Sequence, residues 1–150
     1  MKTTILIVFI LITRITFAQN FSEFGKILQI ADSIWTNVRF HGPHYDGREE
    51  SLTYYRIDEN NYIKTKDFYD NDKIKTSISW YIFQGEPIVY HKRQIKNSKI
   101  YFEIIYFISN RKVIGLQLEC VGDFNSEKIL EIEKSVKKEL LKKDWICRDG

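Results

Sequence analysis

What the sequence lacks narrows its chemistry first. It contains no G-x-S-x-G elbow, no H-E-x-x-H pair and no cysteine followed by a plausible histidine partner. Nucleophilic and zincin-type hydrolysis are therefore without support. The phosphate-cradling G-x-G-x-x-G and Walker patterns are absent as well, which removes the common nucleotide sites. "DND" at 70–72 opens like a calcium loop. Its sixth position, however, is Lys75 and its twelfth Tyr81, where a glycine and an acid are required. The expectation is a protein with no cofactor and no catalytic centre.

Long apolar runs are scarce too, and the one that exists is at the start. Lys2 precedes Ile5–Ile12, an apolar core too short to span a bilayer, and Thr16-Phe-Ala18 supplies the residues a signal peptidase reads. Residues 1–18 are thus expected to be a bacterial signal peptide cleaved before Gln19, which places the protein in the periplasm or outside the cell. No cysteine follows the core, arguing against a lipid anchor, and no later stretch is long enough for a transmembrane helix. Removing the leader takes away Lys2 and Arg14 and no acid, leaving 132 residues with 21 basic and 20 acidic side chains. That length suits one domain, residues 19–150, with a sizeable core. A balance so close to neutral, in an exported chain, gives no reason to expect a nucleic-acid partner.

Cysteine is limited to Cys120 and Cys147. An oxidising compartment favours pairing them. The helix expected between them is about 25 Å long, so Cys147 returns to Cys120 only if the short tail folds back along it. A Cys120–Cys147 disulfide and two separate thiols both remain open.

Aromatics, by contrast, are abundant, with nine Tyr, ten Phe and three Trp, and they are ordered. Asn20 with Glu23 reads as a helix cap. Phe24, Ile27, Leu28, Ala31, Ile34, Trp35 and Val38 then recur at helical spacing until Gly42 and Pro43 stop the helix. From Ser51 the period changes to that of strands. The pairs Tyr54-Tyr55, Trp80-Tyr81 and Tyr106-Phe107 stand 26 residues apart, each followed by a polar turn and an apolar restart. Further turns, 70–73 and 96–99, fall midway. Three hairpin units of about 26 residues predict a six-stranded antiparallel meander. Hairpin arrays of the MORN type have a comparable period but are glycine-rich, and the strand region here holds only Gly85 and Gly115. Ser126 to Leu141 reads as a closing helix with a narrow apolar stripe. The fold class is therefore α+β: a meander flanked by an N-terminal and a C-terminal helix, both expected on one face of the sheet.

The candidate functional residues follow from that pattern. "KIYFEIIYFIS" (99–109) is apolar on both sides, so it is either covered twice or carries a surface meant for a partner. Trp35, Trp80, Tyr101, Ile105 and Phe107 are the candidate binding residues, and a protein partner is the first expectation: an inhibitor, immunity-type or envelope accessory role. A carrier of a small apolar ligand between the first helix and the sheet is the alternative. "FHGPHYDGREE" (40–50) offers His41, His44 and Asp46 to a metal-dependent enzyme, but its glycines and proline read more simply as a connector, and no metal is expected. His91, beside Lys92 and Arg93, reads as a satisfied or solvent-facing histidine, and Glu103 as a marker of the wet face. The run "HKRQIKNSK" reads as an ordinary solvated face.

Overall fold

A chain whose apolar residues alternate over seventy positions buries them best as a sheet with something packed on it. The computed structural model describes residues 22–44, 49–71, 73–121, 126–142 and 145, and for 39–44 the backbone only. Helix α1 covers residues 22–37. Seven strands follow: β1 (Arg39–His44), β2 (Glu50–Arg56), β3 (Tyr62–Asp70), β4 (Lys73–Phe83), β5 (Glu86–Lys96), β6 (Lys99–Ser109) and β7 (Lys112–Cys120). Helix α2 (Ser126–Leu140) closes the described chain. All neighbouring strands are antiparallel, and their order in the sheet is their order in the chain.

The expected six-stranded meander is present as β2–β7, with a helix at each end. The connector reading of residues 40–44 is corrected. After α1 this backbone pairs along β2 as an edge strand, with an irregularity between His41 and His44. An edge is where a sheet accommodates proline, since Pro43 has no N–H to give to a second neighbour. The Asn20 cap, the leader at 1–18, Asp46 and Cys147 lie outside the described residues. Cys120 is exposed at the end of β7. No helix among the described residues is long and apolar enough to cross a membrane.

The turns explain the register. Gln84-Gly85, Asn97-Ser98 and Asn110-Arg111 each hold both central residues at positive φ, the tight hairpin turn that suits the strand twist. Asn71 opens the β3–β4 turn in the same way. The wider β2–β3 turn is held by Asp58, whose Oδ1 accepts from the backbone N–H of Asn60 and of Asn61, both at 2.8 Å. Each of the four tight hairpins then carries one extra residue on its returning strand. These residues are Lys75, Ile88, Tyr101 and Ile114, spaced thirteen apart, each third in its strand. The sequence repeat of 26 is therefore two copies of a smaller unit of one strand, one turn and one bulge.

That register sorts the aromatic pairs. Tyr54, Trp80 and Tyr106 fall in one row on one face of the sheet, and Tyr55, Tyr81 and Phe107 in the adjacent row on the other face. On the first face Trp80, Tyr90 and Tyr106 stack in sequence, with ring centroids 4.8 and 6.1 Å apart. Ile132, Val136 and Leu140 of α2 cover them together with Ile82, Ile104 and Ile108. Trp145 closes the cluster 4.9 Å from Trp80, and its carbonyl accepts from the Tyr62 hydroxyl. Ile27 and Ile34 of α1 pack instead on Ile63, Val89 and Phe107, and Phe24 meets Phe107 edge-on at 4.4 Å. The two helices thus lie on opposite faces, correcting the expectation that they share one. Burying each such aliphatic side chain contributes roughly 1.5–3 kcal/mol, and a single covered face leaves the other set in water.

Ser98 (φ 61°) lies in the left-handed region that favours glycine. Ser98→Gly completes an Asn-Gly turn and is expected to stabilise the fold by about 0.5–1 kcal/mol. The check is a higher urea midpoint at an unchanged slope.

Candidate functional site

Not all of α1's apolar stripe reaches the core. Ile27 and Ile34 are buried, whereas Leu28 and Trp35, each one residue further on, lie on the flank, and Trp35 is 61 % exposed. Packing does not account for a tryptophan left in water. Below this flank runs a groove of about 330 Å³, open to solvent, whose apolar lining includes Leu28, Trp35, Ile105 and Phe107. Asp32, Tyr81, His91 and Gln117 supply its polar atoms.

His91 is the chemically informative member. Its Nε2 lies 2.7 Å from Glu103 Oε1 on the next strand, and the two side chains are only 17 % and 19 % exposed. Burial pushes the imidazole pKa below its ordinary range. The nearby Glu103 carboxylate pulls it back only in part, and Arg93 lowers it further. The ring is therefore neutral at physiological pH. Glu103 can only accept, so Nε2 carries the proton and donates, leaving a lone pair on Nδ1. Nδ1 has no hydrogen-bond partner among the described residues.

The pairing depends on the bulge at Tyr101. Near the turn Ile95 opposes Ile100, a register that carried onward sets His91 against Ile104. The extra residue sets it against Ile105 instead and Arg93 against Glu103. A one-residue slip exchanges faces, so of the two readings of His91 the satisfied one holds, and Glu103, expected as a wet-face marker, is instead its half-buried partner. Strand lengths and turn residues do not announce a bulge; its regular recurrence every thirteen residues is the signal that locates it.

Beyond the groove the same face turns polar. Thr53, Thr65 and Ser79 continue the row of His91; Ser51, Asp67, Ser77 and Arg93 form the next. The five hydroxyl residues are buried. Thr65 and Ser79 hydrogen bond at 2.9 Å, and Ser51 bonds Tyr69 at 3.1 Å. Asp67 Oδ1 is buried with no hydrogen-bond partner among the described residues, a costly arrangement in any fold. Burial first, then the Asp67 charge and Tyr69, push the Tyr55 phenol above its ordinary range.

The five candidate residues divide between the two faces. Trp35, Ile105 and Phe107 come together at the groove. Trp80 is 7 % exposed beneath α2. Tyr101, the bulged residue, packs against that same α2 cluster and donates to Gln94 Oε1 at 3.2 Å. Among the described residues no three His, Cys, Asp or Glu side chains converge for a metal ion; the side chains of His41 and His44 lie outside them.

Comparison with known proteins matches the chain to no family model, no curated protein and no solved structure. The site is read from its own geometry.

Because the fold lowers the His91 pKa, it favours the neutral ring. Its contribution to stability is complete above the ordinary imidazole value of about 6.5 and is lost as pH falls below it. Wild type is expected to lose stability between about pH 7 and about pH 5 more steeply than His91→Gln. Urea midpoints across that window measure the difference, and parallel curves contradict it.

Proposed function

We propose that this is an exported, non-catalytic binding protein that takes a protein partner at the groove between α1 and the sheet. Export rests on the leader at residues 1–18. The observation that carries the binding reading is Trp35, an exposed indole beside a groove floored by Ile105 and Phe107 on a rigid sheet. Tryptophan is among the residues enriched at interface hot spots, since it adds much contact area at little entropic cost. An open groove suits a side chain delivered by a partner better than it suits a small apolar cargo, which needs most of its surface enclosed. An inhibitor, immunity-type or envelope accessory role fits such a surface.

The test compares three baits in an envelope extract of the native host: wild type, Trp35→Ala, and Leu141→Ala as an exposed control. Both substitutions are expected to change stability by less than about 0.5 kcal/mol. Wild type and Leu141→Ala retain a common partner, and Trp35→Ala loses it by about thirty-fold, the loss expected of a 2 kcal/mol anchor. Equal recovery on all three baits contradicts the groove as the binding surface.

A further inference from the structure

Resting on the groove reading above, we infer that the groove recognises a partner's tyrosine, whose ring lies against Trp35 and Ile105 and whose O–H is accepted by His91 Nδ1. Among the groove's polar residues, Tyr81 and Gln117 can donate or accept, whereas two groups only accept. Asp32 is a carboxylate, and His91 Nδ1 is a lone pair kept available because Glu103 holds the proton on the other nitrogen. A carboxylate behind an imidazole is the arrangement that fixes a tautomer and makes the opposite nitrogen a directed acceptor. Nothing among the described residues uses that acceptor, although the ring forms part of the groove wall. The neighbouring surface is apolar and aromatic. The complementary group is therefore an aromatic ring ending in a hydrogen-bond donor, and phenylalanine or leucine would leave Nδ1 desolvated and unpaired.

The charged groups that act on His91 are Glu103 from β6 and Arg93 from its own strand, and Asp32 of α1 lines the same groove. Glu103 and Asp32 favour a donor; Arg93 reinforces the neutral ring. Protonation of His91 turns Nδ1 from acceptor into donor and removes the preference.

Matched probes separate this inference from the groove reading beneath it. 4-Ethylphenol and 4-ethylanisole share an apolar body, and only the phenol donates. Titrated into the isotopically labelled mature protein, with the Trp35 indole and the Ile105 and Gln117 amides followed by NMR, the phenol is expected to bind about ten-fold more tightly, one net hydrogen bond's worth. His91→Phe should abolish the difference while both probes still bind. In wild type, lowering the pH until the His91 ring protons report protonation should shrink the difference; this second readout needs no substituted protein. Equal binding of the two probes to wild type, or a preference that survives both His91→Phe and acidification, overturns the inference and leaves the groove intact as a site. Probes that leave the groove resonances unmoved overturn the groove reading, and this inference with it.

Discussion

Strand β6 cannot be satisfied from one side. Phe102, Ile104, Tyr106 and Ile108 are buried on one face, and Phe107 is buried with Ile105 half-buried on the other. Leaving either set in water forfeits several kcal/mol, so the sheet needs a cover on each face, and the chain supplies one from each end. α2 settles on the row of stacked aromatics with Val136 fully buried, and Trp145 packs beside it. α1 settles on Ile63, Val89 and Phe107, with Phe24 in contact distance of the bare Gly115. The layered architecture is a consequence of this one strand.

Covering from α1 is only partial, and the site arises at its limit. α1 packs over one row of the sheet and overhangs the next, where Leu28 and Trp35 face His91, Ile105 and Gln117 across the groove. Further on, the face changes to serine, threonine, Asp67 and Arg93. The sheet beneath is held on both faces, so the groove floor is rigid, while Trp35 in its wall is largely exposed. Rigid positioning of a few apolar anchors beside one oriented polar atom is what a selective binding surface requires.

Sequence patterning revealed the two helices and strands β2–β7, but it missed β1 and the register. Turn residues placed every hairpin from β2 to β7, because Asn, Gly and Asp at those points leave the chain few other conformations. The aromatic pairs announced a repeat, though at twice its true length, since alternate strands run in opposite directions and only every second unit looks alike. Bulges left no mark that a single hairpin could show. Glu103 was consequently read as a marker of the wet face, and His91, read as satisfied or solvent-facing, was left without its partner. The exposed Trp35 was named as a candidate, but its stripe alone could not tell which apolar positions reach the core: Ile34 does and its neighbour Trp35 does not. The side on which each helix packs was also hidden, because both stripes are apolar and either face of β6 accepts one.

The central claim is that each face of β6 has its own helix. Nuclear Overhauser contacts on the labelled mature protein test it most directly. The account predicts contacts from the Phe24 ring to the Gly115 α-protons and the Phe107 ring, contacts from the Val136 methyls to the opposite-face cluster of Ile104 and Tyr106, and none between α1 and α2. Contacts of Phe24 with Trp80, Tyr90 or Val136 would put both helices on one face and contradict it.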